Sequence, residues 1–418
     1  FTELQANDNP DLTCIYVGDN VIGATNLDEN QFLSDIPCTI EGYVYVPDNN
    51  FEQALIDLGY DDVLDNYVLE ENIDEVFSLH LDSRLIESLQ GIEGFVFLEF
   101  LYANNNQLNN IDLGANLNLK TLSLNDNQFS SVNISSLINL ERLEINRNPI
   151  ISIDLSENIN LMSLKIGWDF NISNPSNFDL DLTNNVNLSE LDCSNLGLSN
   201  LNISNQTNLK FLRAERNNLN NLDLSSNLIL ENLHIRNNNF TEINLSHLEF
   251  LKEIDLNVNY LTQLDVSSNI QLISLYVAEN QLSELNLSNN IELRSLSCGD
   301  NNISSIDISD NINLLSLLIY NNQISEIDLT NNVDLMTLYA PHNNFININL
   351  SNNLSLRDLA VYENQLTELD ITGLDSLKTL RAHNNQLNEI DLSNNRKIHE
   401  VFLFHNNLQY LNLANNNK

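Results

Sequence analysis

The chain has little positive charge, few turn-forming residues of the usual kinds and no long apolar run. Only 17 residues are Lys or Arg against 58 Asp and Glu, so the formal net charge is -41. A surface of this charge repels nucleic acids and anionic membranes. No apolar run approaches the roughly 18 residues that a membrane-spanning helix needs. The composition therefore predicts neither nucleic-acid binding nor membrane insertion.

Sequence motifs for catalysis are also missing. The chain has no Gly-rich phosphate loop, no paired-cysteine metal motif and no nucleophile elbow, so we do not expect an enzyme or a bound cofactor. One group is a candidate metal site, because its members fall at positions seven or eight of four consecutive 21-residue repeats: His342, Glu363, His383 and His405. Ordinary solvated side chains explain this group equally well, since no supporting residues can be named around it.

A unit of 21 residues organises the chain. With Leu209 as position one, apolar residues fall at positions one, four, six, eleven, fourteen and sixteen, and Asn217 stands at position nine. Position one recurs every 21 residues from Leu188 to Ile398. An unbroken period of this length predicts a solenoid, in which each unit buries its apolar side only against its neighbours.

Each unit is predicted to have two halves. Positions three to seven alternate and form a strand with positions four and six inward, and successive strands stack as a parallel sheet. The second half, L-D-L-S in many copies, makes a short extended segment on the opposite side. The amide at position nine turns the chain inward and needs backbone partners from neighbouring turns. With only 11 Gly and 6 Pro, Asn supplies most of the turns.

The pattern L-x-x-L-x-L-x-x-N-x-L followed by x-x-L-D-L-S resembles bacterial leucine-rich repeat proteins of the internalin type. The segments N-P-D-L-T-C-I and V-P-D-N-N-F-E-Q-A-L-I-D-L-G resemble secreted Bacteroidetes proteins with such repeats. The resemblance implies a right-handed, curved leucine-rich repeat solenoid, with the parallel sheet on its concave face and turns and short extended segments on its convex face. It also implies an extracellular or outer-surface location.

Three regions are expected along the chain. Residues 1–42 form a partial repeat, and Cys14 and Cys38 are either a disulfide that closes this cap or two free buried thiols. Residues 43–75 form a capping helix for the array, with Asn49 and Glu52 spaced as a capping box and Gly59 at its end. Residues 76–418 are the array, with an expanded repeat at 161–187. Cys193 and Cys298 face inward five repeats apart, too far for a disulfide.

Two groups of residues mark the outward strand face as a candidate ligand site. A basic group gathers six of the 17 cations near the only Trp, and it consists of Arg142, Arg147, Lys165, Trp168, Arg213, Arg216 and Arg236. Acidic neighbours such as Glu144, Glu190, Asp192 and Glu215 are able to neutralise it. An aromatic group follows, with Tyr276, Tyr320, Tyr339, Tyr362, Phe402 and Phe404.

We therefore expect a recognition scaffold that binds a glycan, with an anionic polysaccharide on the basic group. The alternatives are recognition of a protein partner and, with less support, a structural spacer. Phe1 falls at position eleven with no strand before it and Lys418 at position 21 with no cap after it, so we expect self-association at the ends or a cap supplied by further sequence. The Asp ladder at position fifteen presents carboxylates that calcium prefers, but Asn at the same position in other repeats relieves the repulsion without an ion.

Overall fold

The structure is a computed structural model that describes residues 40–168 and 178–416, together with the backbone of 14–16 and 32–34. The predicted Cys14–Cys38 disulfide lies outside the residues whose side chains are described, and it stays a prediction. The chain forms two compact units, residues 1–140 with 148–157 and residues 141–147 with 158–418. Within the described residues, no helix is long and apolar enough to cross a membrane.

Helices are few. They are α1 (Asn49–Leu58) and α2 (Glu70–Ile73), with one 3-10 turn at Ile92–Gly94. The strands of the first unit are β1 (Cys14–Tyr16), β2 (Phe32–Ser34), β3 (Tyr43–Tyr45), β4 (Tyr67–Leu69), β5 (Ser78–His80), β6 (Phe100–Tyr102) and β7 (Thr121–Ser123). Strands β3 and β4 pair antiparallel, and β5, β6 and β7 pair in chain order as parallel strands.

The second unit repeats one short strand per coil. These strands are β8 (Arg142–Glu144), β9 (Ser163–Lys165), β10 (Glu190–Asp192), β11 (Phe211–Arg213), β12 (Asn232–His234), β13 (Glu253–Asp255), β14 (Ser274–Tyr276), β15 (Ser295–Ser297), β16 (Ser316–Leu318), β17 (Thr337–Tyr339), β18 (Asp358–Ala360), β19 (Thr379–Arg381), β20 (Glu389–Asp391), β21 (Glu400–Phe402) and β22 (Tyr410–Asn412). Each pairs with the next in parallel, except that β19 pairs with β21, and β20 pairs with β22 on the other half of the coil.

The predicted leucine-rich repeat solenoid is confirmed. Leu212 at position four lies opposite Leu191 and Leu233 of the adjacent strands, and all three are fully buried. The strands cover positions three to five only, so they are shorter than the predicted five residues. Position six, for example Ala214, is buried as predicted. Cys193 and Cys298 occupy this position as free, buried thiols.

Two columns of buried amides tie each coil to the next. At position nine, Asn217 accepts the backbone N–H of Leu198 at 3.0 Å and donates to the carbonyls of Cys193 and Ala214 at 3.0 and 3.1 Å. The second column, at position nineteen, was not predicted for the array. There Asn227 is fully buried and donates to carbonyls of the preceding coil at 3.1 and 2.9 Å. Both columns satisfy carbonyls that the turns leave without a ladder partner.

Helix α1 differs from its prediction at the start. Asp48, and not Asn49, caps the helix by accepting the backbone N–H groups of Asn50 and Phe51. Its second oxygen accepts the N–H groups of Glu87 and Ser88 at 2.7 and 2.8 Å, so this cap also holds the first coil. Glu52 does not close a capping box, because it is buried and accepts from the backbone of Asp65 and Asn66. Gly59 ends the helix in the left-handed region with φ of 82°, as predicted.

The inner face of α1 packs against the first coil. Phe51 and Leu55 are fully buried, and Phe51 lies 6.4 Å from the ring of Phe95. Ala54 joins them, whereas Leu58 is 39% exposed and does not belong to that face. A helix that buries this face covers the apolar end of the first coil.

The Asp ladder at position fifteen has a local structural role. The carboxylate of Asp223 accepts the backbone N–H of Ser225 at 2.9 Å, and the same bond recurs at Asp265 with Ser267 and at Asp307 with Ser309. Asn244 makes the same bond to Ser246, which explains why Asn and Asp interchange here. This side chain to backbone turn needs no cation.

Candidate functional site

The strand face of the second unit is made of the outward side chains of β8 to β19 and β21. Parallel strands are about 4.8 Å apart, so side chains at equal positions of adjacent coils touch. Because positions four and six fill the core, positions three, five, seven and eight carry every candidate residue. The face has a mixed-charge section from β8 to β13 and an aromatic section from β16 to β21.

The first cations of the mixed-charge section already have acidic partners. Lys165 Nζ lies 3.4 Å from Glu144 and 3.1 Å from Glu190, and Arg142 lies 3.2 and 3.6 Å from the same two carboxylates. Glu190 also accepts the Ser163 hydroxyl at 2.7 Å. Burial opposes ionisation of Glu190, but this hydroxyl, Lys165 and Arg142 outweigh it and lower the pKa of the carboxyl. The acidic neighbours therefore neutralise these two cations.

A second network lies on β11 to β13. Arg213 lies 3.3 Å from Glu215 and 5.6 Å from the centre of the Phe211 ring. His234 lies 3.8 Å from Glu215 and 3.5 Å from Glu253. The interaction with His234, followed by the charge of Arg213, lowers the pKa of Glu215 although burial opposes this. Positive and negative groups thus alternate across the strands.

Two further carboxylates in this section are strongly desolvated. Burial raises the pKa of Asp192, although the Ser194 hydroxyl donates to it at 2.7 Å. Burial likewise raises the pKa of Asp255, whose neighbours include Glu215 and Arg236. The section therefore carries as many acidic as basic groups, and it is not a positively charged patch.

The remaining predicted residues of the basic group have different positions. Arg147 and Arg216 stand at position eight with φ of 56° and 53°, in the left-handed turn that ends each strand. Trp168 occupies the same position in its own coil, is half-exposed, and donates its backbone N–H to Ser194 at 3.0 Å. Most of the insertion in the expanded repeat, residues 169–177, lies outside the described residues.

The aromatic section is a continuous series of ring contacts. Ring centres of Tyr320 and Tyr339 are 5.5 Å apart, and those of Tyr339 and Tyr362 are 6.1 Å apart, both edge to face. The hydroxyls of Tyr339 and Tyr362 share a hydrogen bond of 2.6 Å. Burial and then Tyr339 raise the pKa of Tyr362 to about 12. Tyr276 lies on β14, apart from this series.

The histidines near this section contribute rings. His383 stacks on Tyr362 at 4.5 Å and on Phe404 at 4.3 Å, so both of its faces are covered. Phe402 contacts His383 edge to face at 6.3 Å, and His342 contacts Tyr362 at 5.5 Å. Glu363 accepts a hydrogen bond from Asn384. The described residues include no group of three His, Cys, Asp or Glu able to hold a metal ion.

The sequence did not predict which of these side chains contact one another. The period of 21 placed His383 on the strand face, but its two ring partners depend on side-chain rotamers. Ser163 and Glu253 complete the charge networks and were not singled out. A row of aliphatic residues at position twenty was also missed, although its period is visible in the sequence.

No protein-family profile matches the chain, and no curated protein matches it. Among solved structures, the functional domain of InlJ from Listeria monocytogenes is similar, with 27% identity and a TM-score of 0.77 over 85% of this chain and 78% of that one. An internalin, InlF, of the same organism has 24% identity and a TM-score of 0.62, covering 85% and 95%. The plant peptide hormone receptor RGFR1 has 21% identity and a TM-score of 0.59, covering 83% and 67%. The chain therefore has the leucine-rich repeat fold of these proteins.

Proposed function

We propose that the chain is an extracellular or surface-exposed recognition scaffold, not an enzyme, and that its strand face binds a protein or peptide. The observation that carries this proposal is the aromatic section, where half-exposed rings lie side by side on consecutive strands. Aromatic side chains that combine an apolar body with a polar tip are enriched at protein interfaces. A similar fold in RGFR1, which was solved in complex with RGF2, supports this proposal.

The ring geometry favours a polypeptide over a sugar. A sugar ring stacks on an open aromatic face, but His383 has both faces covered and Tyr339 meets its neighbours edge to face. The gaps between ring edges instead suit aliphatic or aromatic side chains of a partner. The mixed-charge section supports the same choice, because a partner with charges of both signs complements it.

An anionic glycan is the second candidate function. Trp168 is half-exposed at the edge of the mixed-charge section, and its ring is able to stack on a sugar. Bidentate contacts from arginine suit carboxylate and sulfate groups. Glu144, Glu190 and Glu215 compete for these cations, so any such binding is weak and depends strongly on salt.

Two screens on the full chain separate the candidates: a displayed random-peptide library and a glycan array that includes sulfated and uronic sugars. We expect enriched peptides, rich in aliphatic and aromatic residues, that lose affinity tenfold or more on Tyr339→Ser with Phe402→Ser. Tyr260→Ser is the matched control, because Tyr260 is 51% exposed at position ten and outside the strand face. Peptides that bind this double variant as tightly as the parent refute the site. If the chain binds a sugar on the glycan array and the double variant Arg213→Gln with Arg236→Gln loses this binding, the second candidate function is supported instead.

A further inference from the structure

An apolar edge runs along the second unit, just before the strands. It consists of the residues at position twenty, which lie in the tight turn of each coil. In the five consecutive coils that precede β14 to β18 this position is aliphatic and about half-exposed: Ile270 (56%), Ile291 (51%), Ile312 (53%), Val333 (48%) and Leu354 (55%). Single exposed aliphatic residues are common, but five in consecutive coils form one stripe.

Position two widens this stripe. Ile273 is 40% exposed there, and Leu315 and Met336 in later coils are half-buried. A cleft of 670 Å³ opens between the two rows, where Ile270, Ile273 and Ile291 line it together with polar residues that include Lys252, Glu292 and Arg294. A side chain of this size has roughly 100 Å² to bury, so five half-exposed ones, Ile273 and two half-buried ones leave roughly 350 Å² in all. This is most of the apolar share of one side of a standard protein interface, which covers about 800 Å² per partner.

The charges of the apolar edge are balanced and unpaired. Arg294 and Arg357 are exposed at position two, and Glu292 and Asp334 are exposed at position twenty-one. Across the described residues, no ion pair involves any of the four. The edge is thus locally neutral on a chain whose net charge is -41.

We propose that this edge binds the same edge of a second copy of the chain in a twofold dimer. A strongly acidic partner is repelled by the chain as a whole, and a basic partner is attracted to its other, acidic surfaces. The partner that this stripe fits is apolar and balanced in charge, as the edge of a second copy is. The proposal concerns a surface separate from the strand face and goes beyond the proposed function.

A twofold axis near Ile312 gives the pairing its register. In an isologous contact the two copies are related by the twofold axis. A coil that lies before the axis in one copy therefore faces the coil that lies at the same distance after the axis in the partner. Asn313 and Leu315 flank the turn of Ile312, and Arg294 lies one repeat before Leu315 while Asp334 lies one repeat after Asn313. Arg294 of one copy therefore lies opposite the coil of Asp334 of the other, and this pair forms twice.

Sedimentation of the full chain over a wide concentration range tests the dimer. We expect a reversible monomer–dimer equilibrium that tightens when salt is raised, since salt screens the repulsion between two acidic chains. Ile291→Ser with Ile312→Ser should weaken the dimer at least tenfold while the circular dichroism stays unchanged. Ile159→Ser is the matched control, because Ile159 is 52% exposed at the same position outside this stripe.

Exchange of charges tests the register. Arg294→Asp alone and Asp334→Arg alone should each weaken the dimer at least fivefold, and the two together should restore it. A parent chain that stays monomeric throughout, an apolar double variant that dimerises like the parent, or a double exchange without rescue overturns the proposal. Capture of a different protein by this edge without any dimer of the chain overturns it too.

Discussion

Replacing Asn217 by Ala should destabilise the array more than any other single change to the position-nine column in the second unit. Asn217 accepts two backbone N–H groups, those of Leu196 and Leu198, each at 3.0 Å. It does so because Leu196 stands at position nine of the preceding coil and provides no amide. Asn238 accepts only the N–H of Leu219, also at 3.0 Å. Both side chains donate to carbonyls of two coils.

The expected magnitude follows from these contacts. Asn238→Ala removes three hydrogen bonds, each of which contributes about 1 kcal/mol. It also leaves one buried N–H unpaired, which costs about 1 kcal/mol or more. The free energy of unfolding should therefore fall by about 4 kcal/mol. Asn217→Ala loses a fourth hydrogen bond and leaves a second buried N–H unpaired, so it should cost about 2 kcal/mol more than Asn238→Ala. Asn239→Ala, exposed at position ten, is the matched control and should stay within about 0.5 kcal/mol of the parent.

Urea unfolding followed by circular dichroism measures these differences, and hydrogen exchange of the Leu196 and Leu198 amides localises them. Repeat arrays are able to unfold in parts, so the exchange rates decide where the loss occurs. We expect faster exchange at both amides in Asn217→Ala only. If Asn217→Ala is no less stable than Asn239→Ala, the amide column does not stabilise the array.

Three further predictions concern single groups. The backbone N–H two residues on lowers the pKa of the exposed carboxyls of Asp223, Asp307 and Asp370. The stability that these carboxylates contribute is fully present above their unfolded pKa of about 3.9, and it is lost as the pH falls through the lower folded pKa values. We therefore expect the melting temperature to drop below about pH 4. A melting temperature that stays constant there would contradict this. Burial raises the pKa of the Cys298 thiol to about 12, so alkylation mapped by mass spectrometry should modify it only after unfolding. Tyr362→Phe should remove the last phenolate step, near pH 12, from an absorbance titration; persistence of that step would assign it to another tyrosine.

The period of 21 was sufficient to predict the fold. It aligns Leu191, Leu212 and Leu233 in one inward column and Asn217 with Asn238 in another, since equal spacing gives equal positions in each coil. The strand face and its candidate residues followed from the same alternation. The sequence pattern predicted helix α1 but not its N-cap residue. The reason is that Asp48 is also held by hydrogen bonds from the backbone N–H groups of Glu87 and Ser88, which are distant in the sequence.

The character of the strand face depended on the tertiary structure. The sequence showed six cations near Trp168, but only the side-chain positions show that Glu190 bonds both Lys165 and Ser163. Likewise, the period placed His383 among aromatic residues, and the rotamers of Tyr362 and Phe404 decide that it is stacked between them. A repeat determines which residues share a column through backbone spacing alone. Which neighbours in that column bond, stack or neutralise each other depends on side-chain rotamers, and the period does not determine these.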